Sequence, residues 1–246
     1  MKRTAYRLAI VVLVLAAAAP AYAQPRGSET SDNSFQFRLG GFFPSGNSEF
    51  WDNNERDFTM SSSDFNDGVL GFSYVTSLSN RFELGFNLDF YDSTVRSSYR
   101  DFVDQDGFPI FHDTRLRMTP LTVDFRFLPG GRYGYRGRHG EHRVHKPVPY
   151  LGAGAGFNFW RYEETGDFLD FSLDPPEVFS DRFKDSGAAF ETHVLAGIEL
   201  PMGPTWGLIF EGRHSWSEVT PSSDFAGLGK LDLGGTSAYV GAAFHF

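Results

Sequence analysis

Several ionisable residues of this sequence stand singly inside apolar stretches. Arg38 lies between Phe37 and Leu39, Glu83 between Phe82 and Leu84, and Asp89 between Leu88 and Phe90. Asp124 and Arg126 alternate with Val123, Phe125 and Phe127, and Glu191, His193, Glu199, Glu211, Arg213 and His245 fall on the polar or small parity of comparable segments. Charges carried on one parity of apolar segments can do two things. They can pair as a buried core, because a charge left unpaired away from water is heavily penalised. Alternatively they can line a narrow polar pathway, here cation-preferring, since the acids outnumber Arg38, Arg126 and Arg213. A paired, space-filling network is the expectation.

A second constellation is the run from Gly130 to Lys146. It holds Arg132, Arg136, Arg138, Arg143 and Lys146 against the single acid Glu141, with His139, His142 and His145 at every third position. Its charge suits peptidoglycan, anionic headgroups or a periplasmic protein. Histidines at that spacing can also take a transition metal, but no carboxylate cluster accompanies them, so no metal and no cofactor is expected. His214 and Ser217 form the best pair for a lipid-modifying enzyme. Neither a nucleophile elbow nor a His-x-Ser arrangement surrounds them, so the chain is read as non-catalytic. HExxH and a phosphate-binding glycine loop are absent, and Gly152-Ala-Gly-Ala-Gly156 fits a strand better than a nucleotide site. The acidic balance argues against nucleic acid, and the acids of the connecting segments lack the spacing of a calcium loop.

The elements that position these residues follow a period of two. Phe82, Leu84, Phe86, Leu88 and Phe90 share one parity, while Glu83, Gly85, Asn87 and Asp89 share the other. That is a strand with one apolar and one polar or small face; a helix would scatter the apolar residues around its circumference. Comparable segments begin near Phe35, Leu70, Leu116, Leu151, Phe190, Trp206 and Ser237. Upstream of Pro120 the parity switches, with Leu116 and Met118 apolar, so a bulge is expected at Thr119-Pro120. Eight strands of roughly ten residues suit a closed sheet tilted across a bilayer. Long polar connections (about 44–67, 92–113 and 164–186, with a shorter one near 217–232) alternate with tight turns at 77–80 and 201–204.

Volume decides which face looks outward. The interior of an eight-stranded barrel is just wide enough for side chains. Here the polar parity is rich in Gly, Ala and Ser, whereas the other carries bulky Phe and Leu. The large residues therefore belong against lipid and the small and charged ones inside. Tyr74, Tyr91, Tyr150, Trp160, Trp206 and Trp216 fall near strand ends and are expected as interfacial girdles. Trp160, Tyr162 and Tyr239 are the residues that would line a small pocket.

Lys2, Arg3 and Arg7 precede an apolar run from Leu8 to Ala19, and Ala21-Tyr22-Ala23 supplies a small-x-small cleavage pattern. The expectation is a signal peptide over 1–23 and a barrel domain over 24–246. Losing those three cations and no acid moves the formal charge from −9 to −12. With no cysteine, disulfides and thiolate metal sites are ruled out. An aromatic content of 17% is too high for a disordered chain.

With its leader, its alternating strands and the closing Tyr239-Val240-Gly241-Ala242-Ala243-Phe244-His245-Phe246, the chain resembles small bacterial outer-membrane β-barrels of the OmpA-membrane-domain, OmpX and OmpW kind. Pro149–Gly156 and Phe225–Gly235 are similar to segments of many such barrels. The resemblance implies an all-β, eight-stranded antiparallel transmembrane barrel, an up-and-down meander with its ends in the periplasm. It also implies that Phe246 and Phe244 carry the signal for the barrel-assembly machinery, and that lipid and lipopolysaccharide surround the wall. The expected function is envelope integrity or surface interaction through the outer loops. The alternative is a narrow porin-like channel or conduit for small hydrophobic molecules.

Overall fold

Alternation of large apolar with small or polar residues produces eight long strands. The computed structural model describes residues 33–135, 141–143, 146–173 and 176–246. The leader over 1–23, with Arg136, Arg138, His139 and His145 and the His142 side chain, lies outside the described residues. The strands are β1 (Asn33–Pro44), β2 (Asp67–Ser79), β3 (Phe82–Val103), β4 (Pro109–Phe127), β5 (Val148–Asp170), β6 (Glu177–Pro201), β7 (Trp206–Val219) and β8 (Gly235–His245). Each pairs antiparallel with its neighbour in sequence, and β8 pairs with β1 from Ser34↔His245 to Pro44↔Gly235, closing the ring. Tyr133–Tyr135 and Glu141–Arg143 form a separate two-stranded sheet.

Around the lower part of the ring the outward face is apolar. Phe37, Phe72, Phe86, Val123, Phe157, Val194, Phe210 and Val240 are all exposed there. Charged and amide side chains of the same strands point inward and are buried. This is the inverse of a water-soluble protein and the requirement for a wall bathed in lipid, making the fold a transmembrane β-barrel. Tyr74 is half-buried and Trp206 and Trp216 are exposed, all on the outer side. Tyr91, Tyr150 and Trp160, expected as girdle residues, instead point inward and are buried.

Two further expectations are corrected. The connections at 92–113 and 164–186 are largely strand. β3 and β4 run on as a ribbon to a hairpin tip near Asp104–Phe108, and β5 and β6 stay paired as far as Asp170↔Glu177. Backbone ladders continue there after the apolar alternation has ended, so sequence periodicity could not reveal them. β3 to β6 are therefore much taller than their neighbours, at 22, 19, 23 and 25 residues against 12, 13, 14 and 11 for β1, β2, β7 and β8. The first long connection opens with a helix, α1 (Glu49–Asp57), capped by the Ser48 side chain.

No bulge occurs at Thr119-Pro120. The β4–β5 ladder keeps one register from His112↔Gly166 to Phe127↔Leu151. The parity changes because the surroundings change. Above Pro120 the interior is apolar, so Leu116 and Met118 point inward and are buried, while Arg115 and Arg117 face out. Pro120 leaves a different mark. It has no N–H to donate, and the β3–β4 ladder passes from Leu88↔Leu121 to Tyr91↔Met118 with no pairing between.

Candidate functional site: a filled barrel interior

The middle of the lumen holds Arg38, Arg126 and Arg213 with Asp89, Asp124 and Glu211, all at most 5% exposed. Glu211 accepts from Arg38, from Arg213 at 3.2 Å and from the Tyr150 hydroxyl at 3.0 Å; Arg126 Nη2 lies 3.8 Å from it. Asp89 joins Arg38 (3.1 Å) to Arg213 (2.8 Å), and Asp124 accepts from Arg126 Nε at 2.7 Å and from Asn87 Nδ2 at 2.6 Å. Arg126 also donates to Gln36 Oε1 at 3.1 Å. Three guanidiniums thus face three carboxylates. Tyr239 lies against Arg38 (4.9 Å) and Arg213 (5.8 Å), and Tyr150 against Arg126 (5.2 Å), adding cation–π contact.

The small residues noted on the inward parity make room for this network. A Cβ on Gly71 would lie 2.3 Å from Asp89 Oδ1, and one on Gly154 would lie 2.7 Å from His193 Nε2 and 2.4 Å from the Val123 carbonyl oxygen. Glycine is therefore required there for space.

Below lies a second, smaller ionic group. Arg132 is buried in the lumen, donating to Glu83 and, at 2.8 Å, to Glu199, which also meets His245 Nε2 at 2.8 Å. In the sequence Arg132 reads as the first member of the basic segment; the structure turns it into the barrel instead. Beside it, Leu128, Val148, Tyr150, Leu195, Ile209 and Ala243 form an apolar layer. The placement of Ile209, which breaks the alternation of β7, follows from this layer.

The upper end is closed by the first and last long connections. Phe50 and Trp51 of α1, with Met60 and Phe65, pack onto Tyr162, Phe225, Leu231 and Leu233. Phe50 meets Tyr162 edge-on at 5.0 Å, and Trp51 meets Phe65 at 5.2 Å. Asp232 anchors the plug: its carboxylate accepts from Asn47 N (3.3 Å) and Gly234 N (2.8 Å), and its carbonyl accepts from Trp51 Nε1 at 2.9 Å. Burial holds the Asp232 carboxyl above its usual range. Trp160, Tyr162 and Tyr239 all belong to this upper apolar cluster. Between plug and ion network is a cavity of about 30 Å³, lined in part by Glu191, Arg213 and Tyr239, enough for about one water molecule.

Of the other candidates, His193 lies between Asp124 Oδ2 at 3.9 Å and Glu191 Oε1 at 4.0 Å, beyond hydrogen-bond length. His214 and Ser217 are not brought together. Odd spacing along β7 sends Ser217 into the lumen, while His214 faces outward, bonded to Thr236 Oγ1 at 2.9 Å. The buried contact of Ser97 Oγ with His112 Nε2 (2.9 Å) is visible only in the fold. It lies among Phe58, Tyr99 and Phe168, and His112 Nδ1 has no hydrogen-bond partner among the described residues. Burial pushes the His112 imidazole down to about 4. Among the described residues no group of three His, Asp or Glu is arranged to hold a metal ion. Phe244 and Phe246 lie on the outer face at the β1–β8 seam, where Phe246 stacks on Phe35 at 5.2 Å.

No protein-family model and no curated protein sequence matches the chain. Solved structures matching it include outer membrane protein OprG from Pseudomonas aeruginosa (10% identity, TM-score 0.47), with 91% of this chain and 99% of that one covered. Neisserial surface protein A matches at 9% identity and TM-score 0.45, covering 87% and 97%. The N-terminal β-barrel domain of Pseudomonas aeruginosa OprF matches at 12% identity and TM-score 0.39, covering 88% and 100%. These are small outer-membrane β-barrels, the kind the sequence resembles.

Proposed function

We propose that this chain is a non-catalytic bacterial outer-membrane barrel with a closed interior, acting in envelope integrity and surface interaction through its tall upper hairpins. In this reading the leader is removed after Ala23, Phe246 is read by the barrel-assembly machinery, the lower end faces the periplasm, and lipid and lipopolysaccharide surround the wall. The observation that carries it is the filling of the lumen at three successive levels: apolar with Arg132 below, ionic in the middle and aromatic above. A barrel with so little internal space offers its outer surface for function. The β3–β4 and β5–β6 tips carry exposed Phe102, Val103, Phe108, Phe171 and Leu173, an apolar surface suited to a protein partner. The test is single-channel recording of the refolded chain in planar bilayers, beside a heat-modifiability gel. A compact heat-modifiable band without reproducible steps is expected; discrete cation-preferring steps would overturn the closed reading.

One observation favours the conduit as a second reading. Where Pro120 interrupts the β3–β4 ladder, a cleft of about 530 Å³ touches outward Leu70 and Phe90 and inward Val69 and Met118. Filling it with Val69→Trp should slow transfer of a small apolar fluorophore into vesicles in that reading, and leave it unchanged in the first.

A further inference from the structure

On the outer face of β3 to β6, immediately above the apolar belt, arginines outnumber acids. Asp92 accepts from Arg115 (2.7 and 2.6 Å) and from Arg117 (2.9 Å). Glu163 accepts from Arg161 (2.6 Å) and from Arg182. Each carboxylate is thus shared between two guanidiniums, and each trio keeps a surplus positive charge. The trios abut: Arg117 stands directly opposite Arg161 in the β4–β5 ladder. Like charges directly opposite each other across a sheet weaken it. Arg117 is 44% exposed and Arg161 35%, so their remaining donors face outward. Lys184 adds a cation beside them and Asp113 an acid.

This bias belongs to one wall. β7, β8, β1 and β2 carry no outward arginine or lysine, and the mature chain as a whole is acidic. Directly beneath the cluster, Phe90 and Phe159 are exposed members of the belt. A ligand meeting both features needs anionic groups above and acyl chains below. Guanidiniums with free donors bind phosphate oxygens well, and a doubly phosphorylated lipid would meet two adjoining positive trios.

We propose that the outward face of β3 to β6 is a seat for the phosphate groups of lipid A, centred on Arg117 and Arg161. The proposal rests on the outer-membrane reading above, which places this height of the wall at the outer-leaflet headgroups.

The test is native mass spectrometry and thermal unfolding of the refolded full chain in neutral detergent. The additives are doubly phosphorylated lipid A, its dephosphorylated form, phosphatidylglycerol and inorganic phosphate. Lipid A should bind and raise the unfolding temperature; its dephosphorylated form and free phosphate should not, and phosphatidylglycerol should bind more weakly. Arg117→Gln/Arg161→Gln should weaken lipid A binding by ~10-fold or more, and Arg117→Lys/Arg161→Lys should restore part of it. His214→Gln/Glu218→Gln on the opposite wall should bind as wild type. Equal binding of the dephosphorylated lipid or of phosphatidylglycerol, or unchanged binding by the glutamine pair, would overturn the seat. Should that pair fail to fold, Arg182→Gln tests the same trio with a smaller expected loss. A heat-modifiable wild-type band without lipid A preference removes this proposal alone; absence of that band removes the barrel reading too.

Discussion

Below Pro120 the barrel is polar inside and apolar outside; above it, the same strands turn Leu116, Met118, Trp160 and Tyr162 inward and arginines outward. In the lower region Asp124 and Arg126 are buried, while Val123, Phe125 and Phe127 are exposed. In the upper region Leu116 and Met118 are buried while Arg115 and Arg117 face out. β4 passes between the two without a change of register. A strand therefore sets only which residues share a face; the medium on each side decides which face is apolar. Lipid outside leaves the narrow lumen to charges that must pair. Water outside returns the strand to the ordinary rule, with the apolar core supplied by Phe50, Trp51 and Phe65 folded into the mouth.

The comparison breaks most readily at the ion network. Glu211→Ala leaves Arg38, Arg126 and Arg213 short of their shared carboxylate, and should cost about 3–5 kcal/mol, as removing one partner of a buried pair does. Urea unfolding in detergent, followed by the heat-modifiable band, reads the loss. A result below 1 kcal/mol would mean that water enters the lumen freely. Trp51→Ala should cost about 3 kcal/mol, typical of truncating a buried aromatic. Its effect should be confined to the upper region: 45–66 becomes protease-sensitive while the lower barrel stays folded.

A charge placed on the wall sharpens the contrast. Val123→Arg in the belt should cost about 2–4 kcal/mol in bilayers, whereas Thr165→Arg, above the belt and beside Asp113 in the ladder, should change stability by less than about 0.5 kcal/mol. Similar values at both sites would erase the distinction between the regions. A further contrast is a pH dependence in the upper region. Burial beside Tyr162 pushes the Glu164 carboxyl up to about 7. A carboxyl bound more tightly by its proton in the folded state stabilises at low pH, and that contribution is lost as pH rises from its unfolded value near 4.5 through 7. Glu164→Gln should remove this slope and gain on the order of 2 kcal/mol at pH 8. His112, whose folded value is depressed to about 4, contributes with the opposite sign: its support is full above about 6.5 and is lost as pH falls towards 4.

Much of this molecule was legible in its residues. Alternation in Phe82–Phe90 and Leu121–Phe127 identifies the lipid-spanning strands. The bulk of one parity against the smallness of the other identifies the outward face, and the isolated charges at Arg38, Asp89, Asp124, Arg126, Glu211 and Arg213 identify the ionic interior. The pairing of His214 with Ser217 overlooked the parity of β7, which sets residues three apart on opposite faces. Other features left no local trace. The extensions of β3 to β6 carry polar residues on both faces, so no period announces them. Arg132 belongs by sequence to a basic run, and only the closing of the ring sets it against Glu83 and Glu199.

By itself, then, the sequence determined the architecture of the lipid-facing wall and the kind of residue inside it, because a pleated strand forces neighbours to opposite faces. Tertiary structure decided which charges pair, that Trp51 and Phe65 close the mouth, and that Arg117 opposes Arg161. These depend on contacts between residues far apart in the chain. The alternation that makes a strand recognisable carries no record of which strand lies opposite, or of what fills the space between.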